Sequence, residues 1–479
     1  MSRGSEKPKW YLSLIFHLCL SVFICGATPL FAQAPAKEKT DLLVSGGTVV
    51  AMDAARHIYE DGAVAVRGDE IVAVGPRAQL EARFDAARRI DATGRIVMPG
   101  FINGHQHAAM TLFRGLADDL ALSDWLQKYI FPAEARNVTE DFVTWGTRLG
   151  VLEMLRGGTT TYADMYYFED AVARVTKEAG MRAVLSETII DFPAPDNKSV
   201  AQALTYTEDF IKRWKGDALI IPAVGPHSIY TCSQKTLQDS AALARRYGVP
   251  ILTHVAEAPF ELEQARAKYG LTPVGYLESI GLLGPDLVGA HCVFVDSGDI
   301  SLLVQHGVGC VHNPSSNMKT ASGVSPVVDM IAAGVREGLG TDGAASNNNL
   351  DMFVEMNLAA KLQKVERRDP RALPAKQVVE MATIAGARAL HLEKQIGSLE
   401  PGKKADLILI RTGAPHSTPM YNVYSQLVYA LKASDVETSV IGGRVVMENR
   451  KMLTLNEDEI LAKAREYASK IQASLAPVK

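Results

Sequence analysis

Cysteine is scarce in this chain of 479 residues, with five in all and no Cys-x-x-Cys pair. Cys19 and Cys25 fall in an N-terminal apolar run, which leaves Cys232, Cys292 and Cys310 as an odd remainder. That count argues against a disulfide framework and predicts three buried thiols packed as small apolar side chains. An excess of either charge is missing too: 50 basic residues face 54 acidic ones, for a formal net charge of -4, and no block of like charge occurs. Nothing in that balance calls for nucleic acid or an acidic membrane surface as a partner. A third absence is positional. Clustered hairpin turns occur near both ends of the chain but not between residues 100 and 395.

The N-terminus stands apart. Arg3, Lys7 and Lys9 precede the apolar run Trp10 to Ala27, and Pro29 and the stretch "FAQAPA" follow it. A basic start, an apolar middle and a small-residue end make a secretory signal peptide over residues 1–34, cut after Ala32 or Ala34. The run is nearly long enough to stay as an anchor instead. Export to the periplasm or the medium, with no membrane contact after cleavage, is the expectation.

What is present falls into two patterns. From Asp41, short β-branched strands are separated by Gly-Gly, Asp-Gly and Gly-Asp turns, and "GSLEPGKKADLILI" and "ETSVIGGRVVMENR" repeat the pattern near the other end. One small β-sandwich domain assembled from residues 41–98 and 396–479 explains both. The tail from Asn456 reads as an amphipathic helix. Residues 99–395 alternate instead. The apolar segments "IVMPGFINGHQH", "TTTYADM", "MRAVLSET", "LIIPAVGPHS", "VPILTHVAE", "DLVGAHCVF", "GVGCVHNP" and "VREGLGTDG" are spaced by helical patterns. Eight strand–helix units predict an α/β fold with a parallel (β/α)8 TIM-like barrel; a doubly wound open sheet is the rival.

The ends of these strands carry the chemistry. His105 and His107 end the first, Asp164 the second, His227 the fourth, His254 the fifth with Glu257 three residues on, His291 the sixth, His312 and Asn313 the seventh, and Asp342 the eighth. A barrel brings C-terminal strand ends to one mouth, so scattered residues become a cluster. Residues i and i+2 of an extended segment point the same way, so His105 and His107 can face one ion. With His254 and Asp342 they supply the nitrogen and oxygen donors of a catalytic metal, which lowers the pKa of a bound water towards about 7.

"PGFINGHQH", "THVAE", "GAHCVF", "HNPSSNMK" and "GTDGAASNNNLDMF" occur in this order. Together they resemble the amidohydrolase superfamily, in the aminohydrolase branch that includes 5′-methylthioadenosine/S-adenosylhomocysteine deaminases and triazine hydrolases. The resemblance runs from about Asp41 to Met447. It implies His105, His107, His254 and Asp342 as metal ligands and Glu257 as the acid that shuttles a proton to a ring nitrogen and to leaving ammonia. It implies that His291 hydrogen-bonds the attacking hydroxide, with Asp342 also taking its proton. Glu134 matches a contact to a nucleoside sugar, against the alternative of a solvated helix carboxylate, and His227 a residue on the substrate side. Asp164 matches no metal position and is assigned a structural or supporting role. Binuclear relatives carry a carboxylated lysine at the end of strand four; "AVGPHSIY" has none, which implies one divalent ion, zinc or else iron. The implied reaction is hydrolytic deamination of an amino-substituted heteroaromatic ring: an adenosine-type nucleoside, purine, pterin or triazine. Hydrolysis of a ring halide or a cyclic amide by the same site is the alternative, and a non-catalytic binding module the remote one. The segment after strand three often carries an arginine in adenosine-type relatives. Here it reads "LSETIIDFPAP", with Lys198 the nearest basic residue downstream, which weakens S-adenosylhomocysteine as the substrate. Members of the branch are often homo-oligomers.

Overall fold

The computed structural model describes residues 36–475, so the expected leader, residues 1–34, lies outside the described residues. Among the described residues no helix is long and apolar enough to cross a membrane. The turn-punctuated N-terminal stretch forms β1 (Glu38–Val50), β2 (Ile58–Arg67), β3 (Glu70–Pro76), β4 (Phe84–Asp91) and β5 (Arg95–Pro99). The alternating middle forms β6 (Phe101–Gln106), β7 (Thr159–Tyr166), β8 (Arg182–Ile189), β9 (Ile220–Pro226), β10 (Ile251–Val255), β11 (Leu287–His291), β12 (Gly309–His312) and β13 (Arg336–Leu339). The C-terminal stretch returns as β14 (Leu407–Arg411), β15 (Val436–Ile441), β16 (Arg444–Glu448) and β17 (Lys451–Met452), and the helix Glu457–Leu475 follows.

The two chain ends meet in one nine-stranded sheet, ordered β17-β16-β15-β14-β5-β1-β2-β3, with β4 on β1. The junction is antiparallel, with Leu407 opposite Pro99 and Arg411 opposite Arg95. Val44, Val64, Val97, Leu407, Leu409 and Val440 share its core, so the β unit is closed only when both ends are in place. The sequence "IVMPGFINGHQH" is not one strand: its first half pairs with β14, and the chain passes into the barrel at Gly100. A Cβ at Gly100 would sit 2.1 Å from Thr160 Cγ2, so only glycine lets the two sheets approach there.

Strands β6 to β13 form the second sheet in chain order, each parallel to the next. These strands are apolar on both sides because both sides are covered. Ile102, Ala163, Met165, Val184, Ala223, Leu252, Val288 and Val311 pack within the barrel. The first and last strands close it through side chains as well as backbone. Thr341 N–H donates to Asn103 Oδ1 at 3.0 Å and Asn103 Nδ2 to Thr341 Oγ1 at 2.7 Å. Asp342 N–H donates to the His105 carbonyl at 3.0 Å. The closing bonds thus run through two of the expected site residues.

The helix Glu140–Arg156 starts at Thr139, whose hydroxyl accepts the Phe142 N–H at 3.2 Å. It presses Gly146 against the turn Ala108–Phe113 that directly follows His107; a Cβ there would meet Ala109 O at 2.3 Å. Gly146→Ala is therefore expected to force the helix off this turn and cost about 1–3 kcal/mol. A thermal melt checks this, and an unchanged Tm would show that the contact has slack.

Candidate active site

Strand ends and the turns after them aim the polar residues at one point. His291 and Asp342 have φ of 76° and 60°, as the chain leaves each strand in the left-handed region. Backbone of that kind is costly for non-glycine residues and persists where surrounding structure holds it, typically at functional sites.

The side chains converge. Asp342 Oδ1 lies 3.2 Å from His107 Nε2 and 3.5 Å from His105 Nε2. His254 Nε2 is 3.4 Å from His107 Nε2. Ligand atoms of His105, His107 and His254 lie within 4.8 Å of one another, and so do those of His105, His291 and Asp342. His291 Nε2 is 3.8 Å from Glu257 Oε1. The far sides of the rings are tied down. His107 Nδ1 bonds the Met165 carbonyl at 2.6 Å, His254 Nδ1 the His227 carbonyl at 2.8 Å, and His291 Nδ1 the Asn317 Oδ1 at 2.8 Å. Each such bond places a proton on Nδ1 and turns Nε2 towards the centre as the nitrogen that can take an ion or, without one, a proton, the arrangement that supports metal-ligating histidines. The Asp342 carboxylate is oriented in turn by Gly343 N–H at 2.7 Å, Ser316 Oγ at 2.6 Å and Ser346 Oγ at 3.0 Å.

The residues fit a divalent cation. His105 Nε2 and His291 Nε2 are buried without a hydrogen-bond partner, a state that an ion or its water would relieve. Electrostatics agree. Burial drives the His105 imidazole down to about 4 and His254 well below its ordinary value. Burial also opposes charge on His107, but the Asp342 carboxylate beside it prevails and lifts it to about 9. The cluster thus gathers one positive charge even from a proton.

Around this centre the pocket is lined by the predicted residues Glu134, His227, Glu257 and His291, and by Leu122, Trp125, Leu126, Ile130, Phe131, Tyr166, Tyr167 and Tyr230. Glu134 is not a solvated helix carboxylate: it is 5% exposed, accepts from Tyr166 Oη at 2.8 Å, and is raised by burial to about 7. Burial also raises Glu257, whose Oε2 lies 3.5 Å from Tyr230 Oη. The Glu257 N–H donates to Glu261 Oε2 at 2.7 Å. The His227 ring sits 4.5 Å, centre to centre, from that of His254, and its Nδ1 meets Thr231 Oγ1 at 3.0 Å and Ser228 Oγ at 3.1 Å.

Not every strand-end residue joins. His312 is buried with both ring nitrogens unpartnered and does not line the pocket; its neighbour Val311 takes the inward side of the strand. Asp164 accepts the Ala108 N–H at 2.6 Å, which fixes the chain just after His107, in keeping with a supporting role. Lys198 donates to Ala194 O at 2.9 Å and Pro195 O at 3.3 Å, away from the pocket. Cys232, Cys292 and Cys310 are free and buried. The aromatic and aliphatic wall and the supporting Asn317, Ser316 and Ser346 escaped sequence reasoning. "HNPSSNMK" and "GTDGAAS" held three of these residues in plain view, but nothing in their spacing sets a ligand's partner apart from a capping residue.

Comparison with known proteins agrees with this geometry. The amidohydrolase family pattern matches residues 96–446. A 5-methylthioadenosine/S-adenosylhomocysteine deaminase of Syntrophobacter fumaroxidans is 51% identical over 435 residues, 91% of this chain and 99% of that one. A 5′-deoxyadenosine deaminase of Methanococcoides burtonii is 43% identical, covering 90% and 97%. The crystal structure of an adenosine deaminase from Xanthomonas campestris with bound zinc superimposes with a TM-score of 0.90 at 38% identity, over 91% of this chain and all of that one. The barrel with its two-ended β unit, the clustered histidines and these likenesses have one common explanation: the chain belongs to the amidohydrolase family.

Proposed function

We propose that the protein is a zinc-dependent deaminase of adenosine-type nucleosides, replacing a ring amino group by oxygen with one water consumed and one ammonia released. The observation that carries this reading is the Glu257 carboxyl, buried 3.8 Å from His291 Nε2 and beside the His105–His107–His254–Asp342 donor set. The names of the relatives and the zinc of the Xanthomonas campestris structure support the ring and the metal. His105, His107, His254 and Asp342 would hold the ion, which supplies hydroxide at neutral pH and stabilises developing negative charge. No lysine lines the pocket among the described residues, in keeping with one ion.

The chain's own groups move the protons. Burial raises the Glu257 carboxyl above its ordinary value, which suits a group that takes up a proton and passes it on. From its place it takes the first proton of the attacking water and delivers it to the ring nitrogen beside the reacting carbon. Asp342 accepts the second proton of that water, which Glu257 then carries to the departing amine so that it leaves as ammonia, and His291, held by Asn317, directs the water by a hydrogen bond. Glu134, held by Tyr166, meets sugar hydroxyls, and His227 borders the substrate. The apolar wall excludes bulk water and packs against ring faces. Residues 1–34 read as a cleaved leader, so the mature enzyme is proposed to act outside the cytoplasm on scavenged small molecules.

Ammonia release from adenosine derivatives, guanine, cytosine, pterins and triazines tests the reading. Adenosine derivatives are expected to be turned over fastest, activity is expected to vanish with a chelator, and added zinc is expected to restore it. Chelator-resistant turnover would refute the metal, and preference for another ring would refute the nucleoside.

A further inference from the structure

We infer that Pro132 is a positioning residue: it holds open a wide helical turn that takes up one extra residue and so keeps Glu134 in phase with the apolar wall of the pocket. Its effect on turnover rests on the deaminase reading above, in which Glu134 and that wall meet the substrate. Residues 122–137 run as one helix. Leu122–Asp124 and Phe131–Asn137 are α-helical, and Trp125–Ile130 between them is π-helical. Asp124, Trp125, Ile130 and Phe131 keep right-handed helical φ and ψ across both junctions, so the helix widens without breaking. The Phe131 N–H donates to the Leu126 carbonyl, five residues back, where an α-helix would use Gln127.

The residues that line the pocket show what the wide turn does. An α-helix returns to one face at i, i+3, i+4, i+7, i+8 and i+11. Counted from Leu122, that face takes Trp125 and Leu126 and then Tyr129, Ile130 and Ala133. The pocket is lined instead by Leu122, Trp125, Leu126, Ile130, Phe131 and Glu134. The second half of the set stands one residue late. The excess falls among Gln127, Lys128 and Tyr129, all of them exposed. In an unbroken α-helix Leu122 and Glu134 would point about 120° apart. A wider turn rotates less per residue and removes most of that drift.

Proline is the residue that keeps the turn from tightening. Pro132 has no N–H to give the Lys128 carbonyl, and in an unbroken α-helix its ring would press on that same carbonyl. With the turn open, α-helical bonding restarts at Phe131, and Pro132 stands in the first turn of the new stretch, where a missing N–H is harmless. Glu134, two residues on, then receives the Tyr166 hydroxyl at 2.8 Å. Alanine at 132 would let the segment close as an α-helix. One half must then turn against the other by about 100°. Either Glu134 leaves Tyr166, or Leu122 and Trp125 leave the wall. Deleting the exposed Lys128 as well removes the extra residue, and an ordinary α-helix then carries all six lining residues on one face.

Two variants of the zinc-loaded full chain test this: Pro132→Ala, and Pro132→Ala with Lys128 deleted. Pro132→Ala is expected to raise KM for adenosine by at least about tenfold while kcat stays within about threefold, the pattern of lost binding rather than lost chemistry. Metal content is expected to stay at the wild-type level, and the added deletion is expected to bring KM back to within about threefold of wild type. A proline that served stability alone would not be rescued by removing a further residue. An unchanged KM in Pro132→Ala, or a KM still raised after the deletion, overturns the inference. Crystal structures of the variants read the phase without turnover. In Pro132→Ala the Phe131 N–H is expected on the Gln127 carbonyl, and retention of its bond to Leu126 overturns the inference. That shift together with no ammonia release by the wild-type protein would refute the deaminase reading and uphold the role of Pro132.

Discussion

Glu257→Gln is expected to lower ammonia release by at least about 10³-fold, within the range removed with a general acid–base, while metal content stays at the wild-type level. Glutamine keeps the size of the side chain and a carbonyl oxygen near Tyr230 Oη. It cannot take a proton from the attacking water or deliver one to the ring. Glu257 contacts the donor set through His291, at 3.8 Å, and is not itself in either close ligand group. Its loss as an acid therefore leaves the ion's seat intact. Steady-state kinetics with metal analysis of the same preparation give both readouts. Activity within tenfold of wild type would remove Glu257 from proton transfer. Loss of metal would make it part of the ion's seat instead.

His105→Ala is expected to weaken metal binding by at least about 100-fold, beyond the 10–100-fold typical of losing an outer partner of a ligand, and to abolish activity at ordinary metal concentrations. His105 belongs to both close ligand groups. Its Nε2 has no protein hydrogen-bond partner, and its ring stands edge-on to His107, His254 and His291 at 4.8 to 5.3 Å. Removing it opens the middle of the cluster. Competition with a chromogenic chelator measures the affinity, and full occupancy at wild-type affinity would contradict the ligand assignment. The wild-type protein adds a pH check. With an ion bound, His107 must be neutral, whereas without one it is lifted to about 9 by Asp342. Binding therefore releases a proton below that value, and apparent affinity falls as pH falls. Gly146→Ala, by contrast, changes no ligand and tests the packing of the helix against the turn that follows His107.

Much of this was legible in one dimension because its signals are local. Strand runs bounded by turns, a His-x-His pair whose side chains share a face, and polar residues at the ends of apolar segments all follow from a two-residue period and chain order. They pointed to the α/β class, the eight-strand alternation and the candidates His105, His107, His254, His291 and Asp342. They also showed that the β unit draws on both chain ends. Tertiary structure decided what depends on approach between distant segments. It kept Val311 inward and left His312 out of the pocket, buried Glu134 under Tyr166, and ended the flanking sheet at Pro99 so that the barrel begins at Phe101. It also made Leu122, Trp125 and Ile130 a pocket wall and committed Arg114 and Lys319 elsewhere. An apolar residue carries no mark of whether it will face a core or a substrate, and a lysine none of which oxygen it will meet. Those choices arise only when the closed barrel brings its loops together.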